Sequence, residues 1–409
     1  MNFDIVIIGG GIVGLTLANQ ILERDERLRI AIIDKEREIG LHTSGRNSGV
    51  LHAGIFYKPN SLKSKVCING ARRLKEWCKE EGLDLLNCGK IITPQKEHLD
   101  SQLEVLNEMG KQNGVSSEII NKQEFLKLIP YGRSASGRAL FVPSTSVVKP
   151  IQILRRLEKR LREKNVQFFL GYHVSFNLKN QQILMLKNKF KKQIEDISLN
   201  YGYLFNSSGL HSDRVAKKFQ IGKDLTILPF KGIYWGLSKS SPFNITTNLY
   251  PVPDMNMPFL GVHFTPTTDG KINIGPTAFP AFGRENYKNL DNLEPSLTIN
   301  FLKHLTVQWI INKRGFRNYA SGQALQGFKP LFLKAAQELI PSIKNEHLVI
   351  SDKIGIRPQL YDIVKCQLVD DFRVEHSKNS THVLNAISPA FTSSFALADL
   401  IINSTPSFI

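Results

Sequence analysis

Two histidines and one arginine have side chains suited to chemistry on a carboxylate compound, the histidines for removing a proton and the arginine for binding the carboxylate. His52 lies in the glycine-rich stretch TSGRNSGVLHAGIFYKPNSLK, residues 43–63, and His263 lies in FLGVHFT. An imidazole titrates at about 6.5, so either histidine could remove a proton at neutral pH. The sequence does not indicate which of the two is the base. Arg357, in KIGIRPQ, follows an apolar strand-like segment and has a planar guanidinium that binds a carboxylate through two bonds. An ion pair is the alternative role for Arg357.

The first element that could position these groups is a strand, turn and helix at the N-terminus. Residues 5–8 form a short β-branched run, which is typical of a buried parallel strand. Gly9, Gly11 and Gly14 then give the pattern G-x-G-x-x-G before an apolar-periodic helix. The next strand ends at Asp34, 20 residues after Gly14, where an acid can accept hydrogen bonds from ribose hydroxyls. The spacing predicts a dinucleotide whose pyrophosphate lies at the helix N-terminus.

The glycine-rich stretch predicts a second contact with the same ligand. Gly45, Ser48 and Gly49 could bring backbone N–H groups close to a diphosphate or a flavin ring without a side-chain clash. A flavin is too large to be held by one turn alone, so the pair of segments indicates FAD rather than NAD. The residues predicted to contact FAD here are Thr43, Ser44, Gly45, Asn47, Ser48 and Gly49.

The two N-terminal segments together resemble the FAD-dependent D-amino-acid-oxidase-like superfamily, and within it the L-2-hydroxyglutarate oxidase/dehydrogenase family. The likeness continues in YPVPDMNMPFLGVHFT, NIGPTAFPAF and NAISPAFTSS, so it covers most of the chain. The sequence departs from the family pattern at Arg46, Thr277, Gly283 and Pro358, and in NAISPAFT.

The resemblance implies a flavoenzyme that oxidises L-2-hydroxyglutarate, or a close 2-hydroxy acid, by hydride transfer to the flavin. It implies that Arg357 holds the substrate carboxylate, that His52 or His263 is the base, and that Tyr250 and Lys58 help to bind a second carboxylate. Further FAD contacts are implied at Gly209, Gly355, Ser388 and Pro389. No metal is expected. An amino-acid oxidase or dehydrogenase, and a non-catalytic flavin- or nucleic-acid-binding protein, are the alternatives.

The same resemblance implies an α/β and α+β fold with two discontinuous lobes. We expect a Rossmann-like FAD-binding lobe at residues 1–86, 145–225 and 340–409, and a substrate-binding lobe at 87–144 and 226–339. The sequence agrees in part. PIQILRRLEKRLREKN, residues 150–165, has proline at a helix start and apolar residues at helical spacing. Residues 228–282 have short alternating segments and turns that predict an antiparallel sheet.

Composition bounds the partners and the location. The net charge of +17 favours acidic substrates or anionic surfaces, but the basic residues are scattered, so we expect no nucleic-acid partner. The four cysteines have no C-x-x-C spacing, which argues against a zinc site or a redox pair. Residues 5–18 are too short and glycine-rich for a membrane span or signal peptide. We expect a cytoplasmic location, with peripheral contact to an anionic inner membrane through the basic helix at residues 150–165 as a second option, and oxygen or a membrane quinone as electron acceptor.

Overall fold

The computed structural model describes residues 1–176, 182–191, 195–253, 260–312, 315–317, 320 and 328–406. In these ranges the strands are β1 (Asn2–Ile8), β2 (Ile30–Asp34), β3 (Val50–Leu51), β4 (Leu85–Leu86), β5 (Lys90–Thr93), β6 (Glu118–Ile120), β7 (Ala139–Val142), β8 (Ser146–Val148), β9 (Gln167–Leu170), β10 (Tyr172–Phe176), β11 (Ile183–Asn188), β12 (Ile197–Asn206), β13 (Leu225–Leu237), β14 (Asn248–Pro251), β15 (His263–Pro266), β16 (Ile272–Gly275), β17 (Phe279–Pro280), β18 (Leu348–Asp362), β19 (Gln367–Leu368), β20 (Val374–Ser377) and β21 (Ser380–Val383). The α-helices are α1 (Ile12–Arg24), α2 (Leu62–Glu80), α3 (Ser101–Gln112), α4 (Lys122–Leu128), α5 (Pro150–Glu163), α6 (Ser212–Lys218), α7 (Pro295–Ile311), α8 (Lys329–Gln337) and α9 (Ser394–Ser404).

The first sheet has a parallel centre around β1. Its main path runs β10, β11, β12, β1, β2, β9, and β20 and β21 extend it beside β12. β1 pairs in parallel with β12 and β2, and its last four residues are fully or nearly fully buried. Apolar side chains on both faces explain why the N-terminal run reads as continuously hydrophobic. Helices α1, α2, α5 and α9 contribute buried residues to the core on one face, so the predicted Rossmann-like unit is confirmed.

The second sheet is larger and mainly antiparallel. Its path runs β19, β18, β13, β16, β15, β14, β5, β7, β6, and β17 pairs with β13. The two longest strands, β13 and β18, pair over most of their length, with Gly232 opposite Gly355 and Phe230 opposite Arg357. The antiparallel sheet predicted for residues 228–282 is thus confirmed for the part of that range that the structure describes.

A three-stranded sheet, β3–β8–β4, connects the glycine-rich stretch to the strand before α5. The predicted lobe boundaries stay a prediction. β18 lies in the second sheet, although its residues were assigned to the FAD-binding lobe. This long strand therefore brings residues from late in the chain to the middle of the antiparallel sheet.

Candidate active site

The turn after β1 has the geometry of a phosphate-binding turn. Gly9 has φ of +111°, and a Cβ there would lie 2.5 Å from the carbonyl oxygen of Ser207. A Cβ on Gly14 would lie 2.0 Å from the carbonyl oxygen of Gly9. Both positions therefore require glycine, because any side chain would strike backbone from the adjoining strand or turn. The predicted glycine pattern does fold as a strand, a tight turn and a helix.

The N-terminus of α1 is available to an anion. Gly11 precedes the helix without a side-chain cap, and the backbone N–H of Ile12 donates to Ser44 Oγ at 3.0 Å. The first turn of a helix presents N–H groups and a positive dipole end, so this end suits a pyrophosphate. Asp34 Oδ2 accepts from the Gly10 N–H at 2.7 Å, and Oδ1 accepts from the Glu36 N–H at 2.9 Å. The carboxylate of Asp34, the predicted ribose-binding acid, is thus held by backbone N–H groups on both sides of it.

The glycine-rich stretch folds back over this helix end. Asn47 Nδ2 donates to the Ser44 carbonyl at 2.7 Å, and Asn47 Oδ1 accepts from the Gly49 N–H at 2.9 Å. Thr43 Oγ1 donates to the carbonyl of Ile356 on β18 at 2.9 Å. The loop therefore connects the turn after β1 to the antiparallel sheet.

Arg46, one of the departures from the family pattern, joins the same connection. Its Nε donates to the Leu41 carbonyl at 2.6 Å, and its guanidinium lies 4.2 Å from the ring centroid of Tyr287. The Arg46 side chain therefore links neighbouring segments at the edge of the cleft and also lines the cleft.

A cleft that is partly open to solvent passes from the start of α1 to the antiparallel sheet. Most of the predicted cofactor residues line it, but Gly9, Gly14, Asp34, Gly45 and Gly49 shape the backbone around it instead. Those that line it are Gly11, Thr43, Ser44, Asn47, Ser48, Gly209, Gly355, Ser388 and Pro389. A Cβ on Gly11 would approach Ser44 Oγ to 2.9 Å and fill the space beside the helix N-terminus. The N-terminus of α1, this bare position and the long cleft fit a dinucleotide such as FAD.

The other end of the cleft collects the predicted reactive groups. His52, His263, Tyr250 and Arg357 all line it. Leu249 of β14 pairs with Phe264 of β15, so the neighbouring Tyr250 and His263 lie on the same face of the sheet. Their rings stack with centroids 3.8 Å apart at 17°.

A backbone contact fixes the tautomer of His263. Its Nδ1 lies 2.8 Å from the carbonyl oxygen of Gly261, which can only accept, so Nδ1 carries the proton and Nε2 keeps a lone pair. Burial lowers the pKa of His263 to about 3, with smaller contributions from the charges of Lys90 and Arg357, against the opposing effect of the Gly261 carbonyl. His263 is therefore a neutral imidazole throughout the physiological range.

His52 follows β3 and is fixed through its backbone. Its N–H donates to Thr392 Oγ1 at 3.1 Å, and its Nε2 lies 3.4 Å from Ser388 Oγ. Burial lowers the pKa of His52 well below its usual value, and the charges of Lys90, His263 and Arg357 lower it further. Both predicted bases are thus neutral imidazoles at one end of the cleft.

Lys58 is the predicted substrate-binding residue that does not line the cleft. Its side chain is exposed, and its carbonyl accepts hydrogen bonds from the N–H and the hydroxyl of Ser61, the residue that caps α2. The turn that starts this helix directs the chain away before Lys58 can face the substrate end. Lys58 therefore does not line the cleft, and its role in binding a carboxylate stays a prediction.

Sequence reasoning missed Lys90, which is fully buried in β5 beside Tyr250. A lysine that opens the apolar run KIIT was the available signal, because lysine is rarely buried without a partner. Sequence reasoning also missed Tyr234, which lines the cleft. Burial raises the pKa of Tyr234 to about 12, so its phenol is protonated and can donate a hydrogen bond.

A second cluster of ionisable groups lies away from the reactive end. Glu36, His42 and Glu285 lie close enough to hold a metal ion. Lys35 pairs with both carboxylates, however, and Lys189 pairs with Glu36 at 2.8 Å. These ammonium groups occupy the carboxylate oxygens that a cation would need, so the arrangement is that of an ion-pair network. The prediction of no metal remains a prediction.

Comparison with known proteins also points to an FAD-dependent oxidoreductase. The family model described as FAD dependent oxidoreductase matches residues 4–404. The L-2-hydroxyglutarate dehydrogenase of Indibacter alkaliphilus is 36% identical, over 97% of this chain and 97% of its own length. The mitochondrial L-2-hydroxyglutarate dehydrogenase of Homo sapiens is 34% identical, over 98% and 88%. Among solved structures, the FAD-bound L-alpha-glycerophosphate oxidase of Mycoplasma pneumoniae superposes with a TM-score of 0.76 at 20% identity, covering 98% of this chain and 94% of that one.

Proposed function

The chain belongs to the FAD dependent oxidoreductase family, and we propose that it uses FAD to oxidise L-2-hydroxyglutarate, or a close 2-hydroxy acid, to the 2-oxo acid. The substrate is supported by relatives named L-2-hydroxyglutarate dehydrogenase that match nearly the full chain. One structural observation carries the proposal. Arg357, a guanidinium suited to a carboxylate, shares one end of the cleft with a neutral imidazole, His263, that can accept a proton.

FAD would be held by the elements at the other end of the cleft. The first turn of α1 would receive the pyrophosphate, with Gly11 leaving room for its approach, and Asp34 would take the ribose. Thr43, Ser44, Asn47 and Ser48 would lie along the rest of the cofactor, because they line the cleft between the turn and the sheet. When bound, FAD supplies the chemistry of hydride acceptance and onward electron transfer.

The protein's own residues would orient the substrate and remove its proton. Arg357 would bind the carboxylate through two parallel hydrogen bonds, which fixes the position of the adjoining C–H. His263 Nε2 would accept the hydroxyl proton as the carbon loses its hydride, so a 2-oxo acid is formed. Tyr250 would keep the imidazole ring in place by stacking on it. We propose His263 rather than His52 as the base, because its Nδ1 bond to Gly261 fixes the tautomer.

A substrate panel with an artificial electron acceptor tests this function against its alternatives. Turnover with 2-hydroxy acids alone, with L-2-hydroxyglutarate the best of them, is the expected result. Turnover with amino acids alone would favour the amino-acid oxidase or dehydrogenase, and binding of FAD without any turnover would favour a non-catalytic flavoprotein. Identification of 2-oxoglutarate as the product distinguishes oxidation at the hydroxyl carbon from any other reaction.

We also propose peripheral contact with an anionic membrane, made by α7. The basic helix α5 suits this role poorly, because Arg156 and Arg160 both pair with Glu81 and Arg162 pairs with Glu158. No helix in the described ranges is both long enough and apolar enough to cross a membrane. Contact would therefore be made at one surface of the bilayer.

Helix α7 has a packed side and an exposed apolar side. Leu297, Phe301 and Gln308 are packed against the protein, whereas Ile299, Leu302 and Ile310 are respectively 68%, 46% and 69% exposed. The exposed residues recur at helical spacing, so they form one outward stripe, and Trp309 lies beside it. Tryptophan is typical of a membrane interface, where its ring is partly apolar and partly hydrated.

The positive charge on and around α7 favours anionic lipid, rather than a second copy of the chain, as the partner of this exposed stripe. Lys303 and Arg317 are exposed on and beside α7, and the whole chain carries +17. Two such copies repel each other, whereas an anionic lipid surface attracts both the basic residues and the chain as a whole. A lipid-soluble quinone, which would take up two electrons and two protons to give a hydroquinone, is the acceptor that this contact favours over oxygen.

A further inference from the structure

Lys90 is a fully buried lysine whose ammonium has no hydrogen-bond partner in the described part of the chain. It begins β5, and in the sheet it pairs with Asn248 of β14 and Val142 of β7. Because Tyr250 follows Asn248 by two residues, Lys90 and Tyr250 lie on the same face of the sheet. Leaving an ammonium buried without a partner is costly, so a lysine at this position requires an explanation.

Aromatic rings form the immediate surroundings of the Lys90 ammonium. Nζ lies 4.4 Å from the ring centroid of Tyr250 and 4.8 Å from that of Phe56. Tyr250 in turn stacks on His263. The positive charge is therefore one ring away from the imidazole that faces the substrate end of the cleft.

The ionisable groups around Lys90 do not neutralise it. They are Cys67 of α2, Cys88 in the loop before β5, His52 after β3, Tyr250 of β14 and His263 of β15. Burial raises the pKa of the Cys67 thiol to about 12 and that of the Cys88 thiol to about 11, so both are uncharged at neutral pH. Arg357, the other charge acting on the two histidines, is a cation like Lys90.

We propose that Lys90 is a positioning residue: its buried positive charge, acting across the Tyr250 ring, raises the affinity of the cleft for a dianionic substrate. A cation at this site disfavours an imidazolium and favours an incoming carboxylate by the same Coulomb interaction.

The charge of Lys90 is adjustable near neutral pH. Burial lowers the pKa of Lys90 to about 7, so the ammonium loses its proton as the pH rises through that value. The contribution of Lys90 to dianion binding is therefore present below pH 7 and is lost above it. Arginine at this position would keep its charge over the whole range.

This inference rests on the proposed function only for the class of ligand, so the test uses glutarate, a dicarboxylate without the reactive hydroxyl. Its Kd for the FAD-loaded protein is measured by calorimetry from pH 6 to pH 9. For the wild type we expect Kd to rise around pH 7, on the order of ten-fold, as one charge acting over several ångströms is lost. Lys90→Arg should bind glutarate tightly without this step, and Lys90→Met should bind it weakly without this step. Lys122→Met, which removes an exposed lysine on α4, should behave as the wild type.

A step of equal size in all four proteins would overturn the proposal, as would wild-type affinity in Lys90→Met. Methionine fills the site without a buried charge, so Lys90→Met should fold and should unfold at a temperature at least as high as the wild type. If Lys90→Arg fails to fold because of its bulk, Lys90→Met still decides, since a lysine that only fills space predicts an unchanged pH profile. Failure of the substrate panel with the pH step intact would contradict the substrate and leave this inference standing.

Discussion

Tyr250 and His263 lie on adjacent strands of the antiparallel sheet and stack with ring centroids 3.8 Å apart. The stack presents the imidazole to the end of the cleft that also contains Arg357. Rigid strands therefore hold the proposed proton acceptor, whereas loops and the start of α1 line the end assigned to FAD. A site built on strands keeps its reacting groups within small tolerances, which rate enhancement by orientation requires.

Replacement of Gly11 by valine should abolish FAD binding. Even a Cβ at this position would approach Ser44 Oγ to 2.9 Å, and the two methyl groups would fill the space that the pyrophosphate needs. The purified variant should be colourless and should not be restored by added FAD, while its circular dichroism remains that of the apoprotein. A yellow variant with normal flavin content would show that the pyrophosphate does not approach at Gly11.

Arg357→Lys should reduce kcat/KM by about ten- to a hundred-fold while FAD stays bound. Lysine keeps the charge but cannot form two parallel bonds to a carboxylate, and a charged hydrogen bond left unmade is worth about 1.5–3 kcal/mol. Steady-state kinetics and the flavin absorbance spectrum together measure the effect. Unchanged kinetics would remove Arg357 from the substrate site, and loss of flavin would make the residue structural.

His263→Asn should lower kcat by about 10²–10⁴-fold, the usual contribution of a general base. His52→Asn should cost less than about ten-fold, because the imidazole of His263 would remain in place to take the proton. Both variants should retain FAD. A larger loss in His52→Asn than in His263→Asn would exchange the roles assigned to the two histidines.

Sequence and resemblance predicted the positions of most of these groups, but not their relationships. The turn after β1 could be predicted from its glycine spacing, because local sterics require glycine at positions such as Gly9 and Gly14. The sequence did not indicate which histidine is the better candidate for the base, because the Gly261 carbonyl becomes the partner of His263 Nδ1 only in the folded turn.

Lys58 and Lys90 show that the sequence pattern around a lysine does not predict whether its side chain is exposed or buried. Lys58 lies within a well-matched motif but is directed outwards by the turn that begins α2. Lys90 stands in an ordinary strand pattern, and its importance depends on rings from β14 and from the loop after β3 that approach it only in three dimensions.

The exposed stripe of α7 should carry membrane binding. Ile299→Ser combined with Ile310→Ser should reduce flotation with anionic vesicles several-fold, because each change removes a largely exposed apolar side chain without touching the packed face. Val105→Ser combined with Val364→Ser, which changes exposed apolar residues elsewhere, is the matched control.

Binding by the wild type should weaken as salt rises, since exposed charges are screened over about 10 Å at 0.1 M, and a residual apolar contribution should remain. Equal flotation of the α7 variant and the control would remove α7 from the contact. A concentration-dependent dimer that dissociates only in the α7 variant would assign the stripe to a second copy of the chain.

The most direct test of the central claim is a single anaerobic turnover of the FAD-loaded protein with L-2-hydroxyglutarate. We predict complete loss of the oxidised flavin absorbance and one equivalent of 2-oxoglutarate for each flavin reduced. The D-enantiomer should bleach the flavin far more slowly, because Arg357 and His263 would then face the wrong bonds of the reacting carbon. An unchanged flavin spectrum with the L-enantiomer, alongside rapid bleaching by an amino acid, would contradict the function proposed for this chain.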